Sequence, residues 1–133
     1  MLSRQVRRDR LVDKGQALHA FWSGFGLPAY DATSVPEDAA LPYLTYMVAT
    51  DSIGNAVPMT ASLWYRSTSW EEISRKADEI AEYIVTKYPP AFAFDGGRIY
   101  ITKGTPFQQR MSDPEPFIKR ILLTIDCEYF CEY

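Results

Sequence analysis

The chain has 133 residues, 47% of them hydrophobic, with a formal net charge of −3 and a pI near 5.1. This length predicts one domain, residues 1–133, with one hydrophobic core. The acidic balance argues against a protein that wraps nucleic acid, and no run approaches the roughly 20 apolar residues of a membrane helix. The arginine-rich start lacks the apolar centre of a secretion signal, so we expect a soluble protein made in the cytoplasm, without membrane contact.

The first predicted element is a helix over residues 4–25, whose apolar stripe becomes denser toward its C-terminal end. A basic cluster containing Arg4, Arg7 and Arg8 precedes the stripe. Guanidinium groups pair well with phosphate, but we favour a solvated terminal helix as the explanation of the cluster. His19 stands alone without other metal-binding residues at ligand spacing, so we expect it to have a structural role.

The region after this helix is predicted to be β-structure. Residues 29–31 form a short extended piece, and a first strand is expected over residues 43–50. Residues 51–56 contain a glycine–asparagine pair, which tolerates the positive φ of a hairpin turn. The returning strand, residues 57–66, alternates between apolar and polar positions and therefore predicts one buried and one wet face.

A second helix over residues 69–88 is the most clearly periodic element of the chain. Apolar residues recur at steps of three and four, while charged residues fill the opposite side. Ser69 and Glu72 have the spacing of a capping box. Pro89 and Pro90 forbid continuation of the helix.

The chain after the second helix predicts another hairpin and a long loop. Residues 92–94 and 98–102 form the hairpin, joined by an aspartate–glycine–glycine turn. Residues 103–116 contain three prolines and are predicted to be a loop. Phe107 and Met111 within this loop either contact a partner or fold back as a lid on the core.

The last predicted strand, residues 117–130, is unusually long and alternates strictly from Ile121. A strand of this length lies in the centre of a sheet or extends beyond it, and an overhang would invite pairing with another subunit. Cys127 and Cys131 on such a strand lie about 13 Å apart, too far for a disulfide or a shared metal. We expect both to be small buried hydrophobic residues.

Together these elements predict an α+β fold. It consists of a mostly antiparallel sheet of four to five strands with two helices packed on one face, in the order α-β-β-α-β-β-β. Asp126 and Glu128 share the polar face of the last strand, but no neighbouring group separates their pKa values, so a solvated face explains them. No catalytic constellation, metal set or phosphate loop is present in the sequence, and we expect no enzyme, no cofactor and no bound metal.

Three short runs carry a resemblance to a known family. They are Gly26-Leu27-Pro28-Ala29-Tyr30-Asp31, Val35-Pro36 and Leu41-Pro42-Tyr43-Leu44-Thr45-Tyr46. This pattern resembles the opening of small tail-terminator or tail-completion proteins of long-tailed bacteriophages. In that family an N-terminal helix leads to a "V/A-Y-D" strand, a "V-P" turn and a "P-Y-hydrophobic" strand. The hairpin, helix and antiparallel strands that follow here are also similar in order.

The resemblance implies a structural viral protein of the virion tail or neck, made in the cytoplasm of the host bacterium. Such proteins form a hexameric ring on the last ring of tail-tube protein, stop tube polymerisation and join the tail to a head connector or head-closure protein. Heterologous contacts between copies can close into such a ring. The implied interface candidates are Ser52, Ile53, Gly54, Asn55, Trp64, Phe107 and Met111. Arg4, Arg7 and Arg8 are candidates to line a lumen through which DNA passes transiently.

Two alternatives to the tail terminator remain open. One is a neighbouring role in the phage neck, as a head-closure protein or connector adaptor. The other belongs to a different class, a dimeric ligand-binding α+β domain unrelated to phages.

Overall fold

A computed structural model of the protein describes residues 13–49, 56–87 and 90–131, with only the backbone described for Cys131. The secondary structure in these ranges begins with helix α1 (Lys14–Trp22) and a short 3-10 helix (Ser23–Phe25). The elements that follow are β1 (Ala29–Asp31), β2 (Tyr43–Tyr46), β3 (Ala56–Arg66), α2 (Glu71–Thr86), β4 (Ala91–Phe94), β5 (Gly97–Met111) and β6 (Ile118–Cys131). No helix of the described ranges is both long enough and apolar enough to span a bilayer.

The strands form one mixed sheet in the order β1-β2-β3-β6-β5-β4. β1 pairs with β2 in parallel, and the remaining neighbours pair antiparallel. The α+β class with two helices is confirmed. The predicted count of four to five strands is wrong, because the described part of the chain contributes six, with one more strand before α2 than the predicted order allows. The additional strand β1 has three residues, too few for a period-two pattern to show.

β6 is the centre of the sheet and confirms the predicted long strand. Its register pairs Ile118 to Glu128 with β3, and its other edge pairs with β5. The residues of its inward face are buried: Ile121, Leu123, Ile125, Cys127 and Tyr129. Of the two predicted alternatives, the central position is observed, since β6 pairs with β3 from Ile118 to Glu128 and with β5 on its other edge.

Helix α2 has the predicted amphipathic pattern and packs on this inward face. Its buried residues are Ile73, Ala77, Ile80 and Ile84, and it contacts β3, β5 and β6. The predicted capping box is wrong, because the helix begins at Glu71 and its N-cap, Trp70, makes no side-chain cap hydrogen bond. The Ser69 hydroxyl instead accepts a hydrogen bond of 3.3 Å from the Glu71 N–H.

The tryptophan at the start of α2 is held by contacts from two strands. The Arg110 guanidinium lies 4.9 Å and the Lys119 ammonium 5.5 Å from the centroid of the Trp70 ring. Cations over an aromatic face are attracted by its quadrupole. Tertiary contacts with β5 and β6 therefore position the residue where the helix begins.

The described part of α1 begins at a capping box that the sequence analysis did not identify. The Asp13 carboxylate accepts from the Gln16 N–H at 2.7 Å, and the Gln16 side-chain oxygen accepts from the Asp13 N–H at 2.9 Å. These two bonds satisfy donors that the first turn leaves without partners. The rest of the predicted first helix, including the arginine cluster, lies outside the described residues.

Aromatic contacts place α1 beside α2 and β4 on the same side of the sheet. The centroid of the Phe21 ring lies 5.4 Å from the centroid of Phe92 in β4 and 6.2 Å from that of Tyr83 in α2. The Lys76 ammonium of α2 also donates to the Phe25 carbonyl at 2.7 Å. The opposite side of the sheet carries neither helix and is called here the outer face.

β2 ends earlier than the sequence predicts. The predicted strand over residues 43–50 is wrong for residues 47–49, because β2 ends at Tyr46, and residue 50 lies outside the described residues. Met47 and Val48 are exposed, although the Met47 N–H still donates to the Thr60 carbonyl at 3.0 Å. The apolar run continues after the pairing with β1 has ended, and composition alone does not show this.

β5 occupies most of the segment that the sequence predicts to be a loop. The prediction for residues 103–116 is wrong up to Met111, because β5 continues beside β6 with an irregularity between Lys103 and Gln108. Pro106 falls within this irregular stretch, beyond the pairing with β4. A proline is tolerated at a bulge or an open edge because no ladder hydrogen bond requires its missing N–H. The predicted hairpin before this stretch is confirmed by the antiparallel pairing of β4 and β5.

Candidate functional site

The outer face carries a transverse row of four side chains, one from each of four neighbouring strands. The register pairs Tyr43 of β2 with Trp64 of β3, Trp64 with Arg120 of β6, and Arg120 with Met111 of β5. Residues opposite each other on adjacent strands point to the same face. We call Tyr43, Trp64, Arg120 and Met111 the outer-face row.

Neighbouring residues fix the geometry of this row. The Arg120 guanidinium carbon lies 4.7 Å from the centroid of the Trp64 ring. The Arg120 Nε donates to the Ser62 hydroxyl at 3.1 Å, and the Trp64 Nε1 donates to the Thr45 hydroxyl at 2.9 Å. The Tyr43 ring centroid lies 6.5 Å from that of Trp64. The indole and the guanidinium are thus each held by one hydrogen bond and by their mutual contact.

Arg120 differs from several other cations of the described chain in having no acidic partner there. Arg66 pairs with Glu115, Arg75 with Glu71 and Lys76 with Glu79. Arg120 forms no ion pair with any described carboxylate. An arginine side chain has five N–H donors, and the bond to Ser62 uses only the one on Nε.

Two pockets flank the centre of the row, and both Tyr43 and Trp64 line each of them. The first, called the Arg120 pocket, has a volume of about 360 Å³. Its lining residues are Ala32, Val35, Tyr43, Thr45, Met47, Thr60, Ala61, Ser62, Trp64 and Arg120. The second has a volume of about 620 Å³ and reaches Leu41, Arg66, Asp113, Glu115 and Ile118. The larger pocket therefore contains charges of both signs, whereas the described lining of the Arg120 pocket contains one cation and no acid.

The structure brings together two of the predicted interface residues and separates a third. Trp64 and Met111 lie on either side of Arg120 in the row. Phe107 is partly buried and packs against the core, which agrees with the expectation that it folds back on the core. Ser52, Ile53, Gly54 and Asn55 lie outside the described residues, as do Arg4, Arg7 and Arg8.

Arg120 and Tyr43 are the members of the row that the sequence analysis did not select as site residues. The alternation of β6 does place Arg120 on the polar face. The signal that was missing is the register, which pairs Arg120 with Trp64, a residue of another strand far away in the chain.

The other end of the outer face is acidic and aromatic. Asp126 and Glu128 occupy the outer side of β6, opposite Thr102 and Tyr100 of β5. The rings of Tyr100 and Phe130 meet edge to face, with centroids 5.2 Å apart. Within the described ranges, no three His, Cys, Asp or Glu side chains cluster in a way that suits a metal ion.

His19 and Cys127 belong to residue types that often act in catalysis, but the contacts of both are structural. His19 Nδ1 and the Tyr46 hydroxyl form a hydrogen bond of 3.0 Å. Cys127 is fully buried in the core, as predicted for this residue. Burial, with a smaller effect of the Asp126 charge, raises the pKa of the Cys127 thiol to about 12. A thiol with so high a pKa carries almost no nucleophilic thiolate near neutral pH.

Comparison of the chain with protein-family models, curated protein sequences and solved structures finds no match in any of the three.

Proposed function

We propose that this chain is a structural virion protein of the tail-terminator type from a long-tailed bacteriophage. In this proposal it forms a hexameric ring on the end of the tail tube, stops tube polymerisation and offers a surface to the head connector or head-closure protein. It acts through binding surfaces and not as an enzyme. The resemblance of residues 26–46 to the tail-terminator family is the observation that supports the proposal.

The positions of these residues in the fold support a role in binding. The resembling runs contribute β1 and β2, which form one edge of the sheet. Val35, Tyr43 and Thr45 from these runs line the Arg120 pocket, so this part of the motif lies on the same surface as the outer-face row. A family pattern at a surface is more informative about binding than one confined to the core.

The composition of the row also supports a role in protein contacts. Tyrosine, tryptophan, methionine and arginine are enriched in protein interfaces, and tryptophan, tyrosine and arginine dominate binding hot spots. The two helices cover the opposite side of the sheet, so the row is accessible to a partner. A different contact surface on the next copy would make a heterologous interface, the type from which closed rings are built.

One observation favours a second candidate, the dimeric ligand-binding α+β domain. Two pockets meet at Trp64, and their volumes of about 360 and 620 Å³ lie in the range of small-molecule sites. The observations that support the tail terminator also support the head-closure or connector adaptor. The adaptor differs in its partner, which is the portal complex and not the tail tube.

Tube growth distinguishes the three candidates. A tail-tube protein from the same genome is allowed to polymerise with and without the purified full-length protein, and tube lengths are measured by electron microscopy. We expect shorter tubes with a ring of density at one end. Tubes of unchanged length that lack this density would contradict the proposal, and binding to the portal complex instead would favour the adaptor.

Variants connect this assay to the row. Trp64→Ala and Met111→Ala are expected to weaken capping at least about tenfold, the effect of losing a hot-spot contact. Val85→Ala is the matched control, because Val85 is 56% exposed on α2, away from the outer face. Equal capping by all three variants would exclude the row from the interface while leaving the terminator function itself open to the wild-type assay.

A further inference from the structure

The Arg120 pocket combines one fixed positive charge with an apolar wall. Val35 and Met47 contribute apolar side chains, and Thr45 and Ser62 contribute hydroxyl groups. The Thr45 hydroxyl already accepts from Trp64, and the Ser62 hydroxyl accepts from Arg120. Hydroxyl groups at the pocket keep their own O–H donors, but among the lining residues only the guanidinium supplies charged donors.

The free part of the guanidinium has the geometry of a carboxylate receptor. Its Nε is occupied by Ser62, which leaves Nη1 and Nη2 with four N–H donors. Two terminal nitrogens of this kind form a fork that matches the two oxygens of a carboxylate. The contact with the Trp64 ring restricts the side chain, so less conformational entropy is lost when a ligand binds.

Among the described residues, no acidic side chain lines the pocket. The residue before the pocket-lining Ala32 is Asp31, whose carboxylate is engaged elsewhere. It accepts from the Thr33 N–H at 2.9 Å and from the Thr33 hydroxyl at 2.7 Å. These bonds lower the pKa of Asp31, the bond from the hydroxyl having the larger effect. Asp31 is therefore not an ion-pair partner of Arg120.

We propose that the Arg120 pocket is a binding site for a single carboxylate carried on a short apolar body. The carboxylate lies on Nη1 and Nη2 of Arg120, and the apolar body lies against Val35 and Met47. The volume of about 360 Å³ suits a small group, near the lower end of ligand sites. The inference does not depend on the tail-terminator proposal, because the carboxylate belongs either to a free acid or to the C-terminus of a protein chain.

Matched pairs of probes test the charge of the ligand and its source. The full-length protein labelled with ¹⁵N is titrated with 4-methylpentanoate and with its neutral analogue 4-methylpentanamide. A second pair, N-acetyl-leucine and N-acetyl-leucinamide, represents a chain terminus with and without its carboxylate. The readout is the indole N–H resonance of Trp64, assigned with the variant Trp64→Phe. We expect saturable shifts with the acids and binding at least about tenfold weaker with the amides, since a hydrogen bond to a charged group is the stronger one.

Variants test the assignment to Arg120. Arg120→Gln is expected to weaken binding of the acids about 10- to 100-fold, and Arg120→Lys is expected to be intermediate because it keeps the charge without the fork. Arg75→Gln is the matched control, since Arg75 is an exposed arginine on α2 that pairs with Glu71. Val35→Asp adds a carboxylate to the wall and is expected to abolish binding while leaving Arg120 in place. Circular dichroism confirms that each variant is folded.

Each outcome decides a specific point. Tighter binding of 4-methylpentanoate identifies a free small acid as the ligand class, and tighter binding of N-acetyl-leucine identifies a chain terminus. The proposal is overturned if the amides bind as well as the acids, or if folded Arg120→Gln and Val35→Asp both retain wild-type affinity.

Discussion

At the scale of single residues, Cys127 couples the stability of the protein to pH. Its ordinary thiol pKa of 9.0 rises to about 12 in the folded protein, mainly because the group is buried. Between these pH values the unfolded chain loses a proton that the folded chain keeps. The stabilisation is therefore complete below the unfolded pKa and decreases as the pH rises, by at most about 1.4 kcal/mol per pH unit.

This coupling predicts a loss of stability at alkaline pH that depends on the Cys127 sulfur atom. The wild-type protein is expected to have a larger free energy of unfolding than Cys127→Ala. This difference should be smaller at about pH 10.5 than at about pH 8. Urea denaturation at both pH values measures the two differences. The comparison is made in a Cys131→Ser background, so that Cys127 is the only cysteine that titrates. A difference that stays constant with pH would show that the thiol is not protected by the fold.

Cys127 and Arg120 also show how far single residues follow from the sequence. The burial of Cys127 is predictable because it requires only the local alternation of β6. The role of Arg120 is not predictable in this way, because it depends on which residue of β3 lies opposite. Pairing between distant strands is a tertiary property, and the sequence of β6 does not contain it.

At the scale of elements, β5 illustrates the same limit. The three prolines of residues 103–116 predict a loop, yet β6 supplies a partner and β5 continues to Met111. Gly104 is buried against β6 within the irregular stretch. A Cβ atom at this position would lie 2.6 Å from the Thr124 Cγ2 atom and 3.0 Å from the Thr124 carbonyl oxygen. The glycine thus allows close approach of the two strands.

Gly104→Ala should therefore destabilise the protein by about 1–3 kcal/mol, the usual effect of overpacking. Gly24→Ala is the control, since a Cβ there meets nothing within 4 Å. We expect the control to change the free energy of unfolding by less than about 1 kcal/mol. Urea denaturation of both variants gives the comparison. Equal stabilities would mean that β5 and β6 are not closely packed at this point.

Helix α2 shows what can be predicted at this scale and why its start was missed. Its apolar period is a local property and correctly gives the buried face. Its first residue is set by Trp70, which contacts Arg110 and Lys119 from two strands. A capping rule uses only neighbouring residues, so it cannot account for such a contact.

At the scale of the whole molecule, the sheet has a central strand with partners along both edges and two short outer strands. β6 pairs with β3 and β5, whereas β1 and β4 each pair along one edge only in the described chain. Regions with many buried contacts open with free energies close to that of global unfolding. The molecule should therefore be most resistant to opening at β6.

Native-state hydrogen exchange tests this order. The amides of β6 are expected to exchange most slowly, and those of β1 and β4 at least about tenfold faster, because the outer strands open without disrupting the core. Measurement by NMR at two pH values separates opening from intrinsic exchange. The ranking would be wrong if amides of β1 remained protected as long as those of β6.

The whole molecule also shows which part of the candidate site can be predicted from the sequence. Trp64 was selected because alternation places it on the wet face of its strand, and Met111 because it lies in a proline-rich segment. Their positions on either side of Arg120 result from the sheet order, in which β6 lies between β3 and β5. This order is not the order of the chain, so individual candidates are predictable but their assembly into one row is not.

The three tryptophans of the sequence occupy three separate environments in this fold. Trp22 is 1% exposed in the core, Trp70 lies under two cations at the start of α2, and Trp64 borders both outer-face pockets. Replacing two of them with phenylalanine leaves a protein whose fluorescence comes from a single known location. Unfolding of the core, detachment of the start of α2 and ligand binding in the pockets therefore give three separate fluorescence signals. The protein provides these signals without any attached dye.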